Sequence, residues 1–143
     1  MMISSKGRYA LRVMIDLAEN RDSGPIPMKD VAARQDISLK YLEHILPSLV
    51  KHHYVEGIHG KGGGYRLTRA PEEYRVSDIL RVTEGDLVPV SCLECTDGKC
   101  ERAAHCRTVS LCNHLNTMIN DYLDHVTVAD LMEPGRGPGS TAP

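Results

Sequence analysis

The chain contains no tryptophan and no phenylalanine, and six tyrosines carry its aromatic content. Leucine, isoleucine, valine and methionine must therefore fill the interior. No apolar run approaches the roughly 20 residues that span a bilayer, and the opening stretch, Met1 to Tyr9, is polar and basic without an apolar signal segment. A cytoplasmic protein without a membrane partner is expected. Catalytic patterns are missing as well: there is no nucleophile elbow, no His-Glu-x-x-His and no paired-carboxylate pattern, so the chain does not read as an enzyme. Cysteine is absent from every position outside Cys92, Cys95, Cys100, Cys106 and Cys112. An odd number of thiols with no export signal argues against a disulfide framework and for metal, cluster or redox chemistry.

What is present sets the scale. The 143 residues, 25% of them charged, suit one compact domain or two small ones sharing a core. The net charge of −2 hides an asymmetry: residues 1–69 hold 11 Lys/Arg against 7 Asp/Glu, net +4, and residues 70–143 hold 6 against 12, net −6. A basic first half joined to an acidic second half suggests a polyanion-binding module attached to a part that must not bind polyanion.

The apolar pattern predicts a mainly α protein with a small β wing. A wide apolar helix runs from Ser4 or Ser5 to about Asn20, and a short helix follows from Met28 to about Gln35. Asp36-Ile37-Ser38 breaks the pattern, and Ser38 is a good N-cap for a helix carrying Leu39, Leu42, Ile45, Leu46, Leu49 and Val50 at three-to-four spacing. Pro47 lies inside that helix and should kink it. Two short strands then flank the glycine-rich, basic tip His59-Gly60-Lys61-Gly62-Gly63-Gly64. Helix, helix–turn–helix and hairpin are the order of a winged helix-turn-helix, whose second paired helix enters the major groove of duplex DNA.

Three divisions are expected: a DNA-binding domain over 1–70, a cysteine-rich sensor loop with a dimerisation helix over 71–132, and a Pro/Gly-rich disordered tail over 133–143. In the second, Val76, Ile79, Leu80 and Val82 predict a short helix ending by Gly85. Thr108 to Asp124 is a long amphipathic helix whose narrow stripe, Leu111, Leu115, Met118, Ile119 and Tyr122, suits pairing with its own copy. On the reading helix Ser38, Lys40, Tyr41, Glu43 and His44 offer hydrogen-bonding side chains. At the tip, His59 and Lys61 offer positive charge to a minor groove. A Walker phosphate loop is excluded because a strand follows the glycines instead of a helix.

Thiolates bind iron–sulfur clusters and zinc alike, so the density of cysteines alone does not choose the metal. Only Cys92 and Cys95 form a tight pair, whereas a zinc site usually has two. Cys112 falls at the edge of the apolar stripe and reads as a core residue.

Four motifs in this sequence resemble one family: Ile3-Ser-Ser-Lys-Gly-Arg-Tyr-Ala-Leu-Arg, Ile37-Ser-Leu-Lys-Tyr-Leu-Glu-His-Ile-Leu, Gly60-Lys-Gly-Gly-Gly-Tyr-Arg-Leu and Val76-Ser-Asp-Ile-Leu-Arg-Val-Thr-Glu-Gly. It is the Rrf-two family of bacterial transcription regulators, which includes the iron–sulfur regulator IscR, the nitric-oxide sensor NsrR and the cysteine-metabolism repressor CymR. The resemblance covers about residues 1–132 and implies a homodimer on a palindromic operator. By position it assigns Ser38, Lys40, Tyr41, Glu43 and His44 to the major groove, and His59 and Lys61 to the wing. Lys6 is counted with these DNA contacts. Relatives often carry Arg where His59 stands, a departure that implies a wing contact either weaker here or dependent on His protonation.

The resemblance also implies a [2Fe-2S] cluster on Cys92, Cys100 and Cys106, completed by a residue that is not cysteine. The first spacing is longer than in the iron–sulfur regulator and no His stands three residues after Cys106, so His105, His114 or a group from the other subunit remain candidates for the fourth position. Cys100, Cys106 and Cys112 form an alternative set. Cys95 with Cys92 allows zinc or a reversible disulfide, or no cofactor at all. The alternative regulator is a cluster-free, CymR-like repressor of sulfur metabolism controlled by a protein co-regulator or by thiol oxidation.

Overall fold

Helix α1 (Ser5–Glu19) is the element around which the chain is wrapped in this computed structural model, which describes residues 3–85, 87 and 105–132. Its sequence dictates that position: Ala10, Val13, Met14, Leu17 and Ala18 are all buried, an apolar surface too wide for one neighbour. It packs against α2 (Met28–Gln35), α3 (Leu39–Lys51), the hairpin, α4 (Val76–Glu84) and α6 (Val128–Met132). Ser4 caps its start, accepting from the Gly7 amide. Helix α1 has no acidic residue in its own first turn, and Glu84, at the end of α4, supplies one. The Glu84 carboxylate accepts from the Ser4 amide at 3.0 Å, from the Gly7 amide at 3.1 Å and from the Ser4 hydroxyl. That placement explains an acidic residue at the C-terminus of α4, where the helix dipole disfavours it. Glycine at position 7 leaves room for it, since a Cβ there would stand 2.3 Å from the Glu84 oxygen and push that carboxylate aside.

Asp36 ends α2 in the left-handed conformation, which its short side chain tolerates, and Ile37 turns inward as a buried residue. Ser38 then caps α3 by accepting from the Tyr41 amide at 3.1 Å. Helix α3 buries Leu42, Ile45, Leu46 and Leu49, and it runs unbroken through the exposed Pro47. Strands β1 (Val55–Ile58) and β2 (Gly64–Leu67) pair antiparallel with Val55 opposite Leu67. The hairpin is fastened to the body by a bridge between Ile26 and Tyr65, two backbone hydrogen bonds of 2.8 Å. Gly64 permits this approach, since a Cβ there would lie 2.4 Å from the Ile26 carbonyl carbon. The architecture is mainly helical with a two-stranded antiparallel sheet, as the sequence predicts.

Without Phe or Trp, the largest fully buried side chain is Tyr74. A buried phenol needs partners for its hydroxyl. Tyr74 donates to the Tyr54 carbonyl at 2.8 Å and accepts from the amides of Thr68 and Arg69, each at 3.0 Å, while Arg69 lies over the Tyr54 and Tyr74 rings. The base of the hairpin is thereby tied to the segment that opens α4.

Helix α5 (Val109–Asp124) packs against α4. Its end is pinned where Val76 donates to the Val126 carbonyl at 2.8 Å and Val128 to the Tyr74 carbonyl at 3.0 Å, which sets α6 against α1. Along its length Arg81 of α4 donates to Asn120 at 2.8 Å and to Asp124 at 3.2 Å. No residue of α5 is buried, and Leu111, Leu115, Met118 and Tyr122 are all exposed, Leu111 at 67% and Met118 at 56%. Cys112 is half-buried beside them.

Replacing Tyr74 with Phe leaves the Arg69 amide without its acceptor and the Thr68 amide with only the Tyr54 carbonyl at 3.4 Å. A loss of about 1–2 kcal/mol in urea unfolding is expected, with the helical signal of the native state unchanged.

Candidate nucleic-acid interface

The exposed face of α3 is built by the same periodicity that buries its other side. Ser38, Lys40, Glu43 and His44 are all exposed, and Lys40 lies three and four positions before Glu43 and His44, so these three share one face. Tyr41 differs. It is half-buried, and its ring stands edge-on to that of Tyr9 with centroids 5.2 Å apart and planes at 81°. Part of Tyr41 is therefore engaged by α1, and only the remainder faces outward.

His59 and Lys61 lie together at the exposed tip of the hairpin, closed by a turn in which Gly63 donates to the Gly60 carbonyl at 3.1 Å. On the strands, Arg66 pairs with Glu56 directly across the ladder, so its charge is largely neutralised within the wing. Lys61 carries the positive charge of the tip. Lys6, in the first turn of α1, is half-buried.

A polar group that periodicity does not reveal sits behind this surface. Asp16, on the inner side of α1, is 1% exposed. Arg34 of α2 grips it with both arms of its guanidinium, Nε to Oδ2 at 3.0 Å and a terminal nitrogen to Oδ1 at 2.7 Å. This hydrogen bonding pushes the Arg34 pKa above its ordinary value against the opposing effect of desolvation. In the sequence Asp16 stands between Ile15 and Leu17, but at helical spacing it shares its side with Arg12, Glu19 and Asn20 as well as Val13, so the pattern does not mark it as buried.

Of the predicted metal ligands, Cys92 and Cys100 lie outside the described residues, as does Cys95. Cys106 is half-buried immediately ahead of α5, with its Sγ 3.1 Å from the Thr108 hydroxyl. His105 and His114 are both exposed. Among the described residues no group of three or more His, Cys, Asp or Glu is gathered for a metal ion, and no helix is long and apolar enough to cross a membrane. The expected tail, 133–143, also falls outside the described residues.

A capped, outward-facing α3 behind a short helix and beside a fastened hairpin is the geometry of a winged helix-turn-helix. The family described as Rrf2, iron-dependent transcriptional regulator, matches residues 3–134. The chain belongs to the Rrf2 family. It is 36% identical over 134 residues to the HTH-type transcriptional regulator IscR of Aliivibrio salmonicida strain LFI1238, across 92% of this chain and 77% of the relative. The solved structure of CymR, the global cysteine regulator of B. subtilis, matches with a TM-score of 0.75 at 33% identity, covering 92% of this chain and 96% of that one. That of T. potens IscR matches with a TM-score of 0.74 at 33% identity, over 92% and 86%. The Rrf2 assignment makes the chain a DNA-binding transcription regulator and not an enzyme.

Ser38 allows capping and DNA contact to be separated. Ser38→Ala should lower stability by about 1 kcal/mol. Ser38→Asp restores a capping acceptor and suits the helix dipole, so the melting temperature should match that of the wild type, yet DNA affinity measured by fluorescence anisotropy should drop at least about tenfold as a carboxylate meets the phosphates.

Proposed function

We propose that the chain is a homodimeric, cytoplasmic transcription regulator that reads a palindromic operator with two copies of α3 and senses iron–sulfur or redox status through its cysteines. The observation that carries the dimer is α5: a helix of 16 residues with none buried and an apolar stripe facing outward. Such a stripe costs free energy in water unless a second apolar surface covers it. A second copy of the same stripe is the matching surface, and twofold pairing places two reading heads about one helical turn apart on the duplex. In each head Ser38, Lys40, Tyr41, Glu43 and His44 meet the major groove, and His59 and Lys61 follow the adjacent minor groove. Lys6 meets a phosphate.

The sensing role rests on the donor chemistry. Cys92, Cys100 and Cys106 are three soft thiolates within 15 residues, the ligand type that iron–sulfur clusters take. A bound [2Fe-2S] cluster would supply a redox-active link that can be lost. Cys106 would hold its end of that link directly ahead of α5, with the Thr108 hydroxyl at 3.1 Å positioned to donate to the thiolate. His105 or His114 stands near enough in sequence to complete the set. CymR of B. subtilis, described as a cysteine regulator, favours the second reading: a cluster-free repressor whose thiols or partner protein set its activity.

Two measurements test these readings. Leu111→Glu combined with Met118→Glu should yield a monomer in sedimentation equilibrium while leaving the helical spectrum intact; a dimer that persists removes α5 from the interface. Protein purified without oxygen should be coloured and contain iron and sulfide, and the single changes Cys92→Ala, Cys100→Ala and Cys106→Ala should each remove the colour while Cys112→Ala keeps it. Colourless, metal-free protein that binds DNA tightly would leave the cluster-free repressor as the function.

A further inference from the structure

Gln35 is the last residue of α2 and is held at three of its atoms. Its side-chain amide donates to Asp16 Oδ2 at 2.9 Å, its side-chain oxygen accepts from Arg12 Nε at 3.2 Å, and its backbone carbonyl accepts from the Arg12 guanidinium. That carbonyl lies in the last turn of α2, where no helical amide follows to satisfy it. Arg12 is in turn fixed, with its guanidinium 5.5 Å from the centroid of the Tyr9 ring. Tyr9 packs edge-on against Tyr41 of α3.

Between Gln35 and the cap of α3 there are only Asp36 and Ile37. Asp36 has a positive φ of 54° and Ile37 is buried, so the turn has little freedom once its first residue is fixed. The direction in which α3 leaves that turn then follows from where Gln35 is held. Gln35 itself carries no net charge, and both polar atoms of its side chain are already hydrogen-bonded to α1.

We infer that Gln35 is a specificity-positioning residue: clamped to α1 by Asp16 and Arg12, it sets the angle of α3 and so decides whether the side chains of α3 meet base edges. The inference rests on the reading of α3 as the major-groove helix. It predicts a particular division of effects. Base readout depends on alignment within a few tenths of an ångström, whereas attraction to phosphates is long-ranged and tolerant. Loosening Gln35 should therefore reduce discrimination between sequences and leave sequence-independent binding alone.

The test uses the full-length wild-type chain to recover a preferred duplex from a random DNA pool, and then measures affinity for that duplex and for a scrambled one across a salt series. Gln35→Met keeps the length of the side chain and removes its donor and acceptor. Gln35→Glu keeps an acceptor for Arg12 but sets a carboxylate against Asp16. Both should lower the ratio of preferred to scrambled affinity about tenfold, the size of one misplaced base contact, with scrambled binding and the salt slope unchanged. An unchanged ratio overturns the inference, as does a reduced salt slope, which would make Gln35 a direct phosphate neighbour. Variants that are unfolded at the assay temperature overturn it too, because the residue then serves stability alone. Lys40→Ala and Glu43→Ala identify which idea has failed. If they lower the ratio and the Gln35 variants do not, only the positioning role is lost; if they also leave it unchanged, α3 is not the reading helix and both fall.

Discussion

A carboxylate buried on the inner face of a helix is tolerated only when it is paired and hydrogen-bonded, and Asp16 imposes that condition on everything packed around α1. Removing such a charge from water costs several kcal/mol, which a single weak contact does not offset. The fork of Arg34 and the amide of Gln35 together satisfy it, and both come from the last two residues of α2. The pairing therefore fixes the end of α2 relative to α1. Apolar packing alone would leave more latitude, because Val31 and Met28 fill space without demanding a particular register. Ion pairing of this kind is weak support for stability, and its value here lies in the geometry it selects.

From that fixed point the rest of the reading module follows by short steps. Asp36 turns the chain, Ile37 is buried, Ser38 caps α3, and the helix presents Lys40, Glu43 and His44 on the side opposite its leucines. The hairpin is held independently, by the Ile26–Tyr65 bridge at one end and the Tyr74 hydroxyl at the other. Helix α3 and the hairpin are thus each anchored by buried or backbone hydrogen bonds behind an exposed polar face. A rigid support behind an exposed polar face is what sequence discrimination requires, since a contact displaced by 1 Å no longer counts.

The elements were legible where the sequence carries a local mark. Helix α3 shows a capping serine and leucines at regular spacing, the wing shows its glycines, and α5 shows a stripe on an otherwise polar helix. The partnerships that hold these pieces together left no such mark. Asp16 meets Arg34 across 18 positions and Ser4 meets Glu84 across 80, and no periodicity predicts which charge will find which. Tyr74 reads as an ordinary residue ahead of a short helix, and its role emerges only when a chain without Phe or Trp needs a large group in its interior. The half-buried state of Tyr41 has the same origin, because the ring that covers it belongs to α1. The cysteine pattern spoke to chemistry and not to placement: Cys106 is half-buried at the approach to α5, and Cys92 and Cys100 fall outside the described residues.

The asymmetry of charge gains a second meaning from these partnerships. The acidic half of the chain is not merely kept away from polyanion, because one of its carboxylates, Glu84, supplies the acidic group that the first turn of the basic half lacks. Helix α4 ends at that residue and the chain then enters the stretch that contains Cys92, Cys95 and Cys100. Helix α4 also holds α5, through Arg81. Helix α4 therefore stands between α5 and α1, and it also packs directly against α3. The hydrogen bonds at these joints each contribute on the order of 1 kcal/mol. One turn of α4, Arg81 to Glu84, thus joins α5 to the start of α1.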